Sequence, residues 1–428
     1  MNSLALKFTQ AFLKTLAAFF IKKFNPGIIG VTGSVGKTSV KDAIALVLKS
    51  VRHVRSSRGN FNGEIGLPIT ILGEWNPREA KLLSRENPRG KNRIRKAFFL
   101  CKIFIASVFR AVFARRKNYP EILVLEYGAD KPGDIRELLE IAKPQIGVVT
   151  AVGDIPAHVE FYSGKEQVAR EKSRLIENLP SNGFAILNAD DELVLAMKEK
   201  TRAHVITFGF SEEAEVRVTN FESRMNAGRP AGIYFKLEYG GSFVPVRIDN
   251  CFGKPVAYTA AAAAATGIVF GMHLVRIAEA LAYFESPAHR MRLVSGINDS
   301  VILDDSYNAS PLSVTAAIET ARSFTASRKV AILGDMLEIG EYSIQAHENI
   351  GKLAAKVFGL IIAIGPRAKF IAESAKASGF NRRNLHIFDD VEEAKAEVKN
   401  LIRKGDLVLI KASWAMRFEE LVKELRAQ

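Results

Sequence analysis

Gly33-Ser34-Val35-Gly36-Lys37-Thr38, the centre of TGSVGKTS, follows the apolar run Ile28 to Val31 and precedes Val40, Ile44, Val47 and Leu48 at helical spacing. Strand, glycine turn and helix is the context that a phosphate-binding loop requires. Two glycines let backbone N–H groups curl around a phosphate, and a helix N-terminus adds the positive end of its dipole. Lys37 can reach outer phosphates, and Thr38 offers a hydroxyl to Mg²⁺. Val31 stands where the longer G-x-x-x-x-G-K-[ST] pattern has its first glycine, so this is a shortened form. The stretch implies an α/β fold that binds ATP or GTP.

Working outward, apolar strand candidates at Ile122–Leu125, Ile146–Val152 and Phe184–Leu187 alternate with amphipathic stretches. That alternation predicts a mostly parallel sheet covered by helices. From about Ala214 to Ile248 the pattern changes to short alternating runs around Gly240-Gly241, which reads as a β-hairpin region. A second α/β unit begins near Arg290, with strand candidates at Val301–Asp304, Val330–Leu333, Leu360–Ile364, Leu385–Phe388 and Leu407–Ile410. A short hinge is expected around Glu285–His289.

A chain of 428 residues, 48% hydrophobic and 25% charged, has globular values that exclude wholesale disorder. Two cysteines exclude a disulfide framework and fit a reducing cytoplasm. Sixty basic against 46 acidic residues give a net charge of +14, which favours an anionic partner. No aromatic-basic motif accompanies that charge, so no nucleic-acid partner is expected. Two basic apolar segments, 1–23 and 96–116, read as amphipathic helices. The first is too short in apolar run to span a bilayer; the second sets Lys102, Ala106 and Arg110 on one stripe among five phenylalanines. Both can lie at an anionic membrane face, and packing on the protein itself is the competing reading.

Other chemistry-bearing residues cluster at strand ends. Glu126 closes an apolar strand in LVLEYGAD and is placed to hold Mg²⁺, with a surface ion pair as the alternative. His158 follows the strand near Val152, on the edge where such sheets bind ligands. Periodicity alone does not single out Lys172 from Lys165 or Arg170. Asp304 to Pro311, DDSYNASP, gathers polar groups after a strand; Asp305 and Asn308 could bind a ribose or an amino group, or form a plain turn.

Together these motifs resemble the Mur ligase superfamily, ATP-dependent amide-forming ligases of peptidoglycan assembly. The resemblance runs from about Gly27 to Glu424 through TGSVGKTS, GNFNGEIGLP, LEYGADKPGDI, the HVE segment, NADDE, DDSYNASP and GDMLEIG followed by His347. Within the superfamily they match best the branch that adds D-alanyl-D-alanine to a UDP-N-acetylmuramoyl-tripeptide. The resemblance implies ATP binding by Gly33, Ser34, Val35, Gly36, Lys37, Thr38 and Ser39, with Arg290 and Asp305 contributing from the C-terminal domain. It implies Mg²⁺ held by Thr38, Glu126, His158 and a carbamylated Lys172, with Lys37, His158 and Lys172 catalytic. Asn60, Asn62, Glu64, Tyr307 and Asn308 would face the substrate. The implied organisation is an amphipathic helix over 1–25, a central P-loop-type ligase domain over 26–287 with a basic insert at 75–119, and a Rossmann-like domain over 288–428. A cytoplasmic enzyme at the inner face of the membrane is the corresponding expectation.

Several departures accompany the resemblance. The family has an N-terminal domain for the UDP end of its substrate, whereas an amphipathic helix precedes the phosphate loop here. Pro255, Val256 and Thr259 stand where the family has adenine-placing asparagine and histidine residues. The family's Lys-Gly-Ser-Arg reads Lys411-Ala412-Ser413-Trp414. Two further readings therefore stand beside the first: a Mur-like ligase with another carboxylate acceptor or amino acid, and an inactive membrane-associated nucleotide-binding scaffold.

Overall fold

The computed structural model describes residues 3–57, 59, 61–83 and 92–427. The chain divides into two compact units that interleave along the sequence: 1–151, 167–216 and 262–280 form one, and 152–166, 217–261 and 281–428 the other.

The first unit is built on six strands: β1 (Gly27–Thr32), β2 (Val54–Ser56), β3 (Ile122–Glu126), β4 (Ile146–Val149), β5 (Phe184–Asn188) and β6 (His204–Gly209). They pair in parallel in the order β2-β3-β1-β4-β5-β6. Every residue of β3 and β4 is buried, as expected of parallel strands covered on both faces. Because β1 lies between β3 and β4, with Val31 opposite Glu126 and Thr32 opposite Val149, three strand ends converge on one edge. The phosphate loop leaves from that edge, where open α/β sheets bind ligands.

The N-terminal helix, Ser3–Phe24, buries Leu13, Ala17, Phe20 and Phe24 in the core of this unit. Their 4-3-4 spacing is the apolar stripe of a packed helix, and Phe24 stacks on Tyr119 at 4.3 Å. For this segment the packing alternative describes what the helix does with its apolar face. A second long helix, Arg93–Phe113, buries only Phe99, Ile103 and Ser107 among its described side chains. Among the described residues no helix is long and apolar enough to cross a membrane.

Three antiparallel strands, β7 (Val216–Asn226), β8 (Arg229–Tyr239) and β9 (Ser242–Asp249), fall in the second unit apart from Val216. β9 alternates buried and exposed residues, the mark of a sheet with one wet face. The turn between β8 and β9 needs positive φ at two successive residues, and Gly240 and Gly241 supply it (56° and 77°). Strands β10 (Arg292–Ser295), β11 (Val301–Asp304), β12 (Lys329–Gly334), β13 (Leu360–Ile364), β14 (Leu385–Phe388) and β15 (Leu407–Lys411) form a separate sheet in the order β10-β11-β15-β12-β13-β14. All its pairs are parallel except β10 with β11.

Candidate nucleotide and metal site

The loop after β1 is shaped by contacts a larger residue would prevent. Gly33 adopts φ 145°, and a Cβ there would lie 2.0 Å from the Thr150 hydroxyl at the end of β4. Ser34 N–H donates to Ala151 O (2.6 Å), and the Thr150 hydroxyl donates to Val35 O (2.5 Å), so the two residues that follow β4 clamp the loop from one side. Gly36, at φ 89°, starts the helix Lys37–Lys49. Lys37 Nζ arches back to donate to Gly33 O (2.7 Å) and Ser34 O (3.3 Å). Ser34 Oγ is buried and has no hydrogen-bond partner. A buried hydroxyl without a partner is costly unless a ligand satisfies it, and a phosphate oxygen would fit there.

Thr38 and Glu126 meet across the converging strand ends. The Thr38 hydroxyl donates to Glu126 Oε2 (2.9 Å), and Asn62 Nδ2 donates to Glu126 Oε1 (3.1 Å). Lys41 Nζ lies 3.9 Å from the same carboxylate, and both side chains are buried. Lys41 was not among the residues singled out from the sequence. The available signal was its position: three before Ile44 and seven before Leu48, a lysine on the buried stripe of a helix. Among the described residues no group of three or more His, Cys, Asp or Glu could hold a metal ion. One hydroxyl and one carboxylate beside this glycine loop nonetheless fit Mg²⁺, which commonly takes one or two protein oxygens and completes its shell with phosphate and water.

Lys172, on the helix Lys165–Glu177, is 1% exposed. Burial, helped by the like charge of Lys37, lowers its ammonium from 10.5 to about 7, against the opposing pull of Asp130, Glu171 and Asp134. Glu64 is displaced the other way. A hydrogen bond with Glu137, burial and that neighbour's charge raise it to about 7, and Gln10 of the N-terminal helix donates to it at 2.5 Å. Asn60 lies outside the described residues.

In the second unit, Asp304 on β11 is opposite Ile410 on β15, so Asp305 and Lys411 follow side by side. Lys411 Nζ reaches Asp305 Oδ2 at 2.5 Å and Asn308 O at 2.8 Å. Burial holds the Asp305 carboxyl above the usual range, with Lys411 opposing it. The Arg290 guanidinium lies 4.2 Å from the centroid of the Tyr307 ring. His158 has a left-handed backbone (φ 68°), and its Nδ1 is 2.7 Å from Glu338 Oε2. His347 closes the GDMLEIG loop: its Nε2 accepts from Met336 N–H (2.9 Å) and its Nδ1 lies 2.6 Å from Ser343 O. Thr259 spends its hydroxyl on Pro255 O within its own helix (2.9 Å).

Comparison with known proteins agrees with this architecture. A profile described as "Mur ligase middle domain" matches residues 107–267, and one described as "Mur ligase, glutamate ligase domain" matches 289–414. The UDP-N-acetylmuramoyl-tripeptide–D-alanyl-D-alanine ligase of Mycobacterium bovis is 30% identical over 407 residues, 90% of this chain and 70% of that protein. The chain belongs to the Mur ligase family. The Bacillus subtilis ligase of the same name is 28% identical across 97% of this chain and 79% of its own length. The Thermotoga maritima MurF ligase, solved in complex with ADP, superposes with a TM-score of 0.76 at 25% identity, over 97% of this chain and 83% of that one. Mur ligases are ATP-dependent and form amide bonds, and this chain is an enzyme of that class. Of the residues expected to serve it, Gly33 to Thr38, Asn62, Glu126 and Lys172 belong to the first unit; His158, Arg290, Asp305, Tyr307 and Asn308 belong to the second.

Proposed function

We propose that the enzyme joins D-alanyl-D-alanine to the terminal carboxylate of a UDP-N-acetylmuramoyl-tripeptide in peptidoglycan precursor synthesis. The observation that carries this reading is the likeness to ligases of that name along nearly the whole chain, 28% identical over 97% of it. In the proposed reaction a carboxylate oxygen of the tripeptide attacks the γ-phosphorus of ATP, and ADP leaves. The resulting acyl phosphate is attacked at carbon by the dipeptide amine, and inorganic phosphate departs from the tetrahedral intermediate. Phosphoryl transfer demands positioning and charge neutralisation more than covalent help. Lys37 would leave its loop carbonyls for the outer phosphates, and Ser34 with the loop N–H groups would hold the remainder.

Thr38 and Glu126 are the proposed protein ligands of Mg²⁺, which when bound would neutralise charge on the phosphates. Lys41 and Asn62 keep the Glu126 carboxylate oriented. The neutral amine of Lys172, accessible near pH 7, is the form that adds to CO₂; the N–C bond forms as the amine loses a proton, leaving an anionic carbamate. By the motif resemblance, His158 would assist at a second Mg²⁺, Arg290 and Asp305 would contact the nucleotide, and Asn60, Asn62, Glu64, Tyr307 and Asn308 would contact the substrate. The domain boundaries at 25/26 and 287/288 and a cytoplasmic enzyme working at the membrane face belong to the same proposal.

The test is phosphate release from ATP with Mg²⁺ and UDP-N-acetylmuramoyl-tripeptide, with and without D-alanyl-D-alanine, followed by mass spectrometry of the product. Release that requires both substrates and yields the pentapeptide supports the reading. Turnover only with another amine or another carboxylate would overturn the substrate assignment while leaving the ligase chemistry intact.

A further inference from the structure

The helix Arg93–Phe113 carries its apolar side chains on the wrong side for a purely structural helix. Phe99 and Ile103 are buried. Ile94, Phe98, Ile105, Phe109, Val112 and Phe113 are each 61–75% exposed. Spacings of four, seven, four and three residues put Ile94, Phe98, Ile105, Phe109 and Val112 on one outward stripe. The rings of Phe109 and Phe113 lie 4.6 Å apart at the surface. An apolar patch of this extent on a water-facing helix marks an interaction site.

The charge around the patch says what it meets. Exposed Arg95, Lys102, Arg115 and Lys117 border it, and no acidic residue occurs anywhere from Lys91 to Asn118. Lys102 is tied to Glu79 at 2.8 Å; Arg95, Arg115 and Lys117 keep the helix's own border cationic. A second copy of the chain would bring the same cationic border against this one, which opposes self-association. Anionic lipid headgroups complement it, with the phenylalanines entering the acyl boundary and the arginines and lysines staying among the phosphates. Because the helix cannot cross a bilayer, it would lie in the plane of the interface.

We propose that the outward face of helix Arg93–Phe113 docks this enzyme on the surface of an anionic lipid bilayer. The inference deepens the membrane-face localisation proposed above and assigns it to this helix rather than to the N-terminal one, whose apolar stripe is already committed to the core.

Cys101 is exposed on the same stripe, and Cys251, the other cysteine, is buried. A polarity-sensitive thiol dye on Cys101 therefore reports directly on the face. Its emission should shift to the blue with phosphatidylcholine vesicles containing phosphatidylglycerol, and much less with phosphatidylcholine alone. The variant Phe98→Ser/Phe109→Ser/Val112→Ser should lower vesicle affinity about tenfold or more. The variant Arg95→Gln/Arg115→Gln/Lys117→Gln should abolish the preference for anionic lipid. Both should retain ATP-dependent phosphate release in solution, which separates failure of docking from failure of the ligase reading. Wild-type enzyme that ignores anionic vesicles would overturn the proposal, as would binding that neither variant changes. A dimer in sedimentation velocity that the serine variant dissolves, without vesicle binding, would reassign the face to self-association.

Discussion

Lys172 combines two costs that few surface lysines carry: its ammonium is removed from water and faces the like charge of Lys37. An unfolded chain keeps this group protonated up to about 10.5, whereas the folded protein releases the proton near 7. Between those values the unfolded state binds more protons, so the destabilisation shrinks as pH rises and is at its full size below about 7. Lys172→Met keeps the volume and removes the charge. It should raise the melting temperature on the order of 5 °C at pH 6, with the gain fading toward pH 10, while ligase turnover is lost. A melting temperature equally unaffected at pH 6 and pH 9 would show that the ammonium is not desolvated. Burial is also why this residue is illegible to periodicity. Lys165, on the same helix, has 38% of its side chain exposed, and nothing in the spacing of QVAREKSRL separates the two. The family resemblance, not the residue pattern, pointed to Lys172.

At the scale of single elements, the phosphate loop and the two long helices make opposite demands on their side chains. Gly33 has no room for a methyl group: its Cβ would collide with the Thr150 hydroxyl and approach Ala151 backbone at 3.1 Å, at a φ that L-residues avoid. Gly33→Ala should cost about 2 kcal/mol or more in chemical denaturation, and nucleotide affinity should fall with it. Loss of affinity without loss of stability would mean that the loop adapts. The strand, glycine turn and helix start of this element were readable from sequence because that pattern is local.

The long helices were readable only in part. Both carry phenylalanines with basic residues, and composition does not say which face the fold covers. Phe20 lies fully buried in the core, whereas Phe109 is 62% exposed. Phe20→Ala should therefore cost about 3–5 kcal/mol, and Phe109→Ala should stay within about 0.5 kcal/mol of wild type. Equal effects on urea midpoints would contradict the assignment of the two faces.

At the scale of the molecule, most strands are legible because a buried parallel strand is a short apolar run. Val301–Asp304 and Leu360–Ile364 appear where the sequence puts them. The interleaving of the two units is not legible, since 152–166 and 217–261 join the C-terminal unit through tertiary contacts that leave no periodic trace. Each unit contains one of the chain's two tryptophans: Trp75 is 8% exposed in the first, and Trp414 is 42% exposed in the second. That distribution makes nucleotide binding separable by unit. In a Trp414→Phe variant, Trp75 reports the unfolding of the unit holding the phosphate loop. Ligand that binds only the folded state stabilises it by about 2.7 kcal/mol at a hundredfold excess over Kd. ATP with Mg²⁺ should accordingly raise the Trp75 transition by several degrees, ATP with EDTA should raise it less, and Lys37→Met should remove most of the shift. A Trp75 transition indifferent to ATP and Mg²⁺ would mean that the first unit does not hold the phosphates, and the roles proposed for Ser34, Lys37, Thr38 and Glu126 would fall together.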